Sequence, residues 1–473
     1  MDMAQSTAAP TPVPTPAAGD ASAAGDASAP SAASGEAPWP SPRRAWYAVG
    51  IFGLALAINF LDRGILVLLI GPIKHDMQLS DTKASLLVGF AFVFFYLFLG
   101  MPIARLVDTK SRRLIIGSGI AIWSLMTAFC GLAQNFVQLF IARIGVGVGE
   151  ACNGPATFSM MADLFPREKL PRAISVLNFG FVAGTGLALV LGGAVIHFVS
   201  NMGPIELPLL GALRPWQITF LLVSLPGFLV AALFVTVPEP VRRGRIAGVA
   251  MKSIPVADVL RFMKDNRWAY GPMFLGLACN VVLHFGAAAW VPTFFIRTYG
   301  WTAARAGVLQ GSIVICTAPF ALMIGSALSE WFTRKGYADA NMRVTLIAIV
   351  GSTPCAILYP LMPTPELAVA ILAAQWFFAM LSPGPQNAAL QIITPNQMRG
   401  QVTALFLFVF NVIGFGVGPT VVALLTDYVF RGENMLRYSL CAAACVLGPL
   451  AALIVWSGLK GYAESVRRSA SWV

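Results

Sequence analysis

Long apolar segments alternate with short polar loops from Trp46 almost to the end of the chain. Each segment has about 20 residues or more, the length that a helix needs to cross the hydrocarbon core of a membrane. The fifth and eleventh are long enough to include an interfacial turn. The pattern predicts twelve membrane-spanning helices, at 46–71, 84–106, 114–134, 136–164, 172–199, 216–237, 268–297, 304–329, 342–362, 366–394, 399–429 and 435–459.

Composition supports an all-α polytopic membrane protein. Of the 473 residues, 57% are hydrophobic and only 11% are charged, less than half the roughly 25% of a soluble domain. The seven cysteines lie in apolar stretches without metal-ligand spacing, so we expect neither a metal nor another cofactor. The three histidines are widely separated and the chain has no P-loop. We therefore expect neither an enzyme nor an ATP-driven pump.

The net charge of +11 follows from topology rather than from nucleic-acid binding. Most Lys and Arg residues fall in the N-terminal tail, the even-numbered loops and the C-terminal tail. The positive-inside rule then places both termini in the cytoplasm. We expect membrane lipids, and no nucleic acid, as partners.

Five regions follow from the same pattern. Residues 1–42 are rich in Ala, Pro and Ser and predict a disordered tail. The basic stretch 239–267 is the longest loop and separates two sets of six helices, at 43–238 and 268–460. Residues 461–473 are expected to form a cytoplasmic tail.

An internal repeat supports this division. The loop ARLVDTKSRR contains Asp108, Arg112 and Arg113, and the loop SALSEWFTRK repeats the acid and both bases 222 residues later. Such a repeat indicates two pseudo-symmetric six-helix bundles. We expect these charges to join helix ends as a latch when the inner mouth closes, although setting the topology is an alternative role. The predicted latch comprises Asp108, Arg112, Arg113, Asp163, Arg172, Glu330, Arg334 and Lys335.

Charged residues inside the apolar segments are the strongest candidates for function. An ion at bilayer depth costs about 2.5–3.5 kcal/mol on the most lenient scale. Arg143 and Glu150 are seven residues apart, so they share one helix face. Asp62 lies about 24 Å from the inner surface and Arg143 about 10 Å from the outer one, at matching depth. We expect an Asp62–Arg143 pair that protonation breaks, with a static structural pair as the alternative.

The remaining polar residues of the membrane segments are assigned less directly. Arg63 points about 100° away from Asp62 on the helix, and we expect it to reach the outer interface or Asp76. Glu150 has no obvious cationic partner in the sequence. His284 lies 222 residues after Asp62, and a neutral histidine at this depth suits substrate binding or proton relay. The predicted substrate-binding residues are Asn59, Arg143, Glu150, Asn280, His284 and Trp290.

Two stretches resemble a known family. The loop at Asp108 resembles the signature Gly-x-x-x-Asp-Arg-x-x-Arg-Arg of the major facilitator superfamily, with Ala104 and Thr109 as departures. The stretches NFLDRGILVLLIGPIKHDMQLSD and ARIGVGVGEACNGPATFSMMADLFPREKLPRA are similar to the bacterial Spinster branch of that superfamily. The resemblance implies a monomer in a bacterial inner membrane, in which Asp62, Arg143 and Glu150 match the family's proton-coupling and substrate-binding residues.

The expected function is transport. The resemblance implies a proton-coupled secondary transporter that works by alternating access on a lysophospholipid, a sphingoid phosphate or a similar amphiphile. A proton-coupled permease for a small organic or aromatic acid, or for a drug-like compound, is the alternative. A receptor or sensor without flux is a further alternative, which the duplication and the buried charges make less suitable.

Overall fold

The computed structural model describes residues 39–91, 93, 98, 102–103, 106–107, 110–166, 169–202, 205–207, 211–242, 255–395 and 397–469. Almost all of the predicted disordered tail at 1–42 lies outside these residues. The chain from Trp39 to Val473 forms one compact unit. The all-α membrane architecture is confirmed, with one short β-hairpin in a loop.

Helices of the first half follow the predicted segments. They are α1 (Pro42–Met77), α2 (Asp81–Val88), α3 (Arg112–Leu132), α4 (Phe136–Glu150), α5 (Asn153–Leu164), α6 (Leu170–Ser200) and α7 (Pro215–Leu233), which continues as a 3-10 turn over Phe234–Thr236. The hairpin pairs β1 (Ile205–Leu207) with β2 (Gly211–Leu213) in antiparallel register between α6 and α7.

The second half contains nine helices among the described residues. They are α8 (Val256–Asp265), α9 (Arg267–Tyr299), α10 (Ala303–Arg334), α11 (Ala340–Leu358), α12 (Pro365–Ala379), α13 (Pro383–Ile392), α14 (Arg399–Asn411), α15 (Gly418–Leu424) and α16 (Leu436–Ser469). Two π-helical segments, Val412–Val417 and Leu425–Val429, flank α15. Two 3-10 turns, Tyr359–Leu361 and Glu433–Met435, follow α11 and precede α16.

Two predicted spans are interrupted. The fourth breaks between α4 and α5, and the tenth breaks between α12 and α13. Each second piece has a proline in its first turn, Pro155 in α5 and Pro385 in α13. Proline has no backbone N–H and fits the first turn of a helix, so a new helix begins where the old one ends.

The linker and the C-terminal tail contain more helix than the sequence indicates. The amphipathic helix α8 occupies the second part of the linker at 239–267. Helix α16 runs through most of the tail predicted at 461–473, because Tyr462 is buried and its hydroxyl donates to the Ala389 carbonyl at 3.2 Å.

The glycines of α4 form a close crossing with α3. A Cβ at Gly149 would lie 2.6 Å from the Trp123 backbone nitrogen, and one at Gly119 would lie 2.8 Å from the Gly149 carbonyl oxygen. Gly145 faces the Met126 side chain at a similarly short distance. The Gly145-x-x-x-Gly149 pair therefore does let a neighbouring backbone approach. This crossing fixes the height of Arg143 and Glu150 relative to α3.

The two halves of the chain meet along helices near the predicted outer end. A Cβ at Gly311 of α10 would lie 2.3 Å from the Gly186 carbonyl oxygen of α6, and a Cβ at Gly193 would lie 2.8 Å from the Ala304 carbonyl oxygen. Gly89, just after α2, approaches the Phe415 carbonyl oxygen of the first π segment equally closely. Small residues thus allow two separate contacts between the halves.

Gly149→Ala should destabilise the protein by about 1–3 kcal/mol, since its Cβ would collide with backbone that cannot move independently. The control is Gly53→Ala in α1, where the new Cβ meets no atom within 4 Å. That change should be neutral or slightly stabilising. Thermal unfolding in detergent compares the two; equal effects would contradict the packing described for α4.

Candidate functional site

Asp62 of α1 lies in the interior of the first half. Its side chain is buried, and one carboxylate oxygen accepts a hydrogen bond from the Thr127 hydroxyl of α3 at 3.2 Å. The other oxygen, Oδ1, has no hydrogen-bond partner among the described residues. Asn59, less than one turn earlier on α1, is buried as well. Asp62 therefore faces the protein interior rather than the outer surface of the bundle.

Glu150 forms a buried ion pair with Arg63. The Arg63 Nη2 and Nε atoms donate to the same Glu150 oxygen at 2.6 and 3.0 Å. The Glu150 side chain is fully buried, whereas 24% of the Arg63 side chain is exposed. The pair connects α1 with the last residue of α4.

This pair corrects two expectations. Glu150 does have a cationic partner, and Arg63 points neither to the outer interface nor to Asp76. A buried carboxylate without a partner is costly, and the long Arg63 side chain reaches it despite the 100° offset from Asp62. Asp76 instead accepts from the Trp216 indole at 2.6 Å and lies 3.4 Å from Arg214.

Arg143 lies on the same face of α4 as Glu150 and is also buried. It is within electrostatic range of Asp62, but the predicted direct ion pair is not formed between these two described residues. Thr127 holds the Asp62 carboxylate instead. Two acids and two arginines thus occupy one region of α1 and α4, and Arg63–Glu150 is the close ion pair that the described residues show among these four.

The predicted residues of the second half separate into two groups. Asn280 is buried on α9, and His284 lies one turn further on, with its Nδ1 atom 3.4 Å from the Gln375 side-chain nitrogen of α12. Trp290, in contrast, is fully buried and donates to the Pro419 carbonyl at 2.9 Å. Because Gly286 and Gly418 bring α9 and α15 close together, this indole packs between the two helices, and its contact with a substrate stays a prediction.

The predicted latch assembles only in the first half. Arg112 is buried, pairs closely with Asp163, and donates to Glu239 at 3.1 Å. Glu239 also accepts from the backbone N–H of Arg113 at 2.8 Å and from the Ser111 hydroxyl at 2.8 Å. Glu239 therefore caps the N-terminus of α3, where the helix dipole favours an anion.

The other latch residues do not join this cluster. Glu330 and Arg334 form an exposed pair within α10 at 3.4 Å, and Lys335 lies over the Trp331 ring. Arg172 is exposed on α6. Asp108 lies outside the described residues. Side chains four residues apart on one helix satisfy each other here, and the latch of the second half, expected when the inner mouth closes, stays a prediction.

A second ionic cluster joins the two halves at the opposite, predicted outer end. Asp81 at the start of α2 is buried and lies 2.7 Å from both Lys74 of α1 and Arg297 of α9. Glu433 lies 2.7 Å from Lys74 and 3.6 Å from Arg297. Two acids and two bases thus form a closed network across the halves.

Asp427 of the second half also caps α2 of the first. Its carboxylate accepts from the Thr82 backbone N–H and hydroxyl, each at 2.7 Å, and from the Asp81 N–H at 3.3 Å. Three residues further on, Ser85 donates to the Thr420 hydroxyl at 3.2 Å. Separating the halves here would leave the first N–H groups of α2 without this acceptor.

We call the network of Lys74, Asp81, Arg297 and Glu433 the outer cluster. It was not predicted from the sequence, although a signal existed. Lys74 and Arg297 belong to the minority of basic residues that fall on the outer side, against the positive-inside bias. Membrane topology does not explain a basic residue on the outer side, and here an ion pair explains its presence. The described residues contain no group of His, Cys, Asp and Glu arranged to hold a metal ion.

Comparison with known proteins identifies the family. The family model of the Major Facilitator Superfamily matches residues 52–419. The chain belongs to the Major Facilitator Superfamily. An "MFS-type efflux pump" of Mycolicibacterium smegmatis is 27% identical over 90% of this chain and 95% of its own. The family consists of membrane transporters, so the expectations of a multi-pass membrane protein that is not an enzyme are confirmed.

Other relatives bear on the resemblance to Spinster. Protein spinster homolog 1 of Xenopus tropicalis is 23% identical, with 83% of this chain and 76% of that protein covered. A hexuronate transporter of Bacillus subtilis is 26% identical, with 83% and 90% covered. The crystal structure of a bacterial homologue of the lysosomal transporter Spinster, inward-facing and unoccupied, has a TM-score of 0.74 at 22% identity and covers 91% and 99% of the two chains. The Spinster-like resemblance is confirmed.

Asp81→Asn should open the predicted outer end, because Lys74 and Arg297 would face each other without Asp81. Ser85→Cys, in a background without the seven native cysteines, reports opening through labelling by a membrane-impermeant maleimide. We expect labelling to rise at least about tenfold, since breaking a buried pair costs several kcal/mol. Lys83→Gln, which removes an exposed charge from the same helix, should change nothing. Unchanged labelling in Asp81→Asn would show that the cluster does not hold this end closed.

Glu239→Gln should destabilise the protein by about 1–2 kcal/mol at pH 7. Burial alone would raise the pKa of Glu239, but the donors from Arg113, Ser111 and Arg112 outweigh it and lower that pKa below the ordinary 4.5. A lowered pKa stabilises the folded state above pH 4.5, and this contribution is lost as the pH falls through the folded-state value. Thermal unfolding of both proteins between pH 7 and pH 3 should show the difference shrinking in acid; a constant difference would contradict the carboxylate's role.

Proposed function

We propose that this protein is a proton-coupled secondary active transporter that works by alternating access. The observation that carries the proposal is the buried set of two acids and two arginines on α1 and α4. Asp62, Arg143 and Glu150 are proposed as the coupling residues, and Arg63 joins them as the partner of Glu150. Arg143 and Glu150, with Asn59, are also proposed to contact the substrate.

The charge balance of this set explains how a proton and an anion become coupled. With both acids ionised, two negative charges offset two positive ones. An anionic substrate would add an uncompensated charge at bilayer depth, which costs several kcal/mol. A proton on Asp62 or Glu150 removes one negative charge and leaves a guanidinium for the substrate. Binding of a proton and an anion together is therefore favourable, whereas binding of the anion without the proton is unfavourable.

Alternating access is supported by where the halves touch. Every described hydrogen bond and ion pair that joins the first half to the second lies at the predicted outer end, among α1, α2, α9 and the segment from Thr420 to Glu433. We propose that residues 43–238 and 268–460 rock as two bundles around the buried charges. The Arg112 cluster stiffens the cytoplasmic end of the first bundle, and the outer cluster reforms in each cycle.

The first substrate proposal is an amphiphile of the lysophospholipid or sphingoid phosphate type. A row of neighbouring aromatic rings supports this substrate class. The Phe285 centroid lies 3.8 Å from that of Phe415 and 5.6 Å from that of Phe410, and Phe406 lies 5.6 Å from Phe274. These rings of α9, α14 and the first π segment offer a continuous apolar wall for an alkyl chain. The resemblance to the Spinster branch implies the same class.

A small organic acid is the second candidate. It is favoured by the relatives named hexuronate transporter and probable L-galactonate transporter. Both candidates share an anionic group for the arginines. The protein is further proposed to be a monomer in a bacterial inner membrane, with both termini in the cytoplasm.

Asp62→Asn and Glu150→Gln should each abolish proton-driven accumulation. In proteoliposomes with a gradient of one pH unit, one coupled proton supports accumulation of up to about tenfold. The wild-type protein should approach this ratio for at least one lysolipid or sugar acid, whereas the variants should only equilibrate it.

The control is Glu464→Gln, which removes an exposed acid from the C-terminal part of α16. It should accumulate substrate like the wild-type protein. Substrate-specific flux that ignores the pH gradient would refute proton coupling, and undiminished gradient-driven flux in Asp62→Asn would refute the role of that residue.

A further inference from the structure

A neutral polar cluster in the second half lies at the repeat position of the buried charges. His284 follows Asp62 by 222 residues, the same interval that separates the duplicated loops. His284, Asn280 one turn below and Ala288 one turn above share one face of α9. Gln375 of α12 reaches this face at His284, and Gln310 of α10 donates to the Ala288 carbonyl at 3.0 Å. Three helices thus direct uncharged polar side chains to one place.

Three polar atoms of this cluster have no hydrogen-bond partner among the described residues. They are Asn280 Oδ1, Gln310 Oε1 and His284 Nε2. Asn280 is 4% exposed and Gln310 is 3% exposed. A buried polar atom without a hydrogen-bond partner costs free energy. Three such atoms on the neighbouring helices α9 and α10 therefore require an explanation.

The chemistry of the three atoms defines what would satisfy them. The amide nitrogen of Gln375 can only donate, so His284 Nδ1 accepts and the ring proton is on Nε2. The cluster therefore presents two acceptors, on Asn280 and Gln310, and one donor, on His284. Hydroxyl groups both donate and accept, so two neighbouring hydroxyls satisfy the set. A carboxylate has no proton for the acceptors, a quaternary ammonium has none either, and an alkyl chain leaves all three unsatisfied.

We propose that Asn280, His284 and Gln310 form a hydroxyl-binding subsite of the transport site, with Gln375 as the positioning residue that fixes the imidazole tautomer. This inference rests on the proposed function, because the arginines of the first half hold the anionic group of the same substrate. The substrate is then a hydroxylated anion. The two neighbouring hydroxyls belong either to a polyhydroxy acid or to the head-group glycerol of a lysophosphatidylglycerol.

Paired ligands test the subsite on the wild-type protein. Binding to the purified full chain in detergent is measured for glucuronate against hexanoate, and for oleoyl lysophosphatidylglycerol against its deoxy analogue, in which a propyl group replaces the head-group glycerol. In at least one pair the hydroxylated member should bind about tenfold tighter or more, because the deoxy analogue leaves buried polar groups unpaired. The pair that shows the preference identifies the source of the hydroxyls.

Variants then assign the preference to these residues. Gln310→Met and His284→Phe should each reduce the affinity for the hydroxylated member at least about fivefold toward that of the deoxy analogue, whose affinity stays constant. Thr353→Val is the control, since Thr353 is buried in α11 and bonds only to its own helix, at the Ile349 carbonyl.

The subsite would be overturned by equal affinity within both ligand pairs or by a hydroxyl preference that persists in both variants. It would also be overturned if none of the four anions binds. Failure of the proposed function has a different signature. In that case the hydroxyl preference in binding persists, but no anion accumulates in vesicles under a pH gradient.

Discussion

The contact between Arg63 and Glu150 is the interaction on which the proposed mechanism depends. A carboxylate with no exposed side-chain surface is tolerated at bilayer depth only if a cation accompanies it, and the 2.6 Å pair provides that cation from the neighbouring helix. The same low-dielectric surroundings require Asp62 and Arg143 to balance each other in charge. We propose that an ion that enters this region has to come with a compensating one, so that the structural requirement couples the two.

The outer cluster complements this buried set. Its acids and bases come from both halves, so it exists only while the outer end is closed. Asp427 adds a capping contact to α2 that is lost on opening. Exposed pairs contribute little, but Asp81 is buried, and the network therefore biases the equilibrium toward the closed outer end. In the proposed transport cycle, binding in the centre has to overcome this bias before the halves can rock outward.

The duplicated halves have diverged in chemistry while keeping their geometry. The first half places charges around the position of Asp62, and the second places neutral hydrogen-bonding groups around the equivalent His284. A site with one ionic wall and one neutral wall binds a ligand in a defined orientation. The first π segment packs against α9 beside this position, where Gly414 faces Val281 and Phe285, and such segments are frequent at functional sites.

The apolar pattern was sufficient to predict the membrane helices, the burial of Asp62, Arg143 and Glu150, and the tight crossing at Gly149. Each depends on the period of a single helix or on the cost of exposing a residue to lipid. The choice of Arg63 as the partner of Glu150 was not predictable, since it depends on how α1 is rotated against α4. Thr127, which holds Asp62, comes from a third helix.

The outer cluster was missed for a related reason. It combines residues from four separate segments, and only their meeting in space reveals a network. The packing of Trp290 between α9 and α15 was not predictable either, because Gly286 and Gly418 allow a helix approach that no local pattern shows. Spacing along one helix indicates which residues share a face, whereas the neighbouring helices determine what that face contacts.

Counting protons during anion binding tests the central claim most directly. Calorimetric titration of the purified protein in two buffers of different ionisation enthalpy, with an anion that the vesicle assay shows to be moved, gives the number of protons taken up per anion bound. The charge-balance account predicts about one proton in the wild-type protein at a pH where both acids begin ionised, and none when Asp62→Asn and Glu150→Gln are combined. Tight anion binding by the wild-type protein without proton uptake would contradict it.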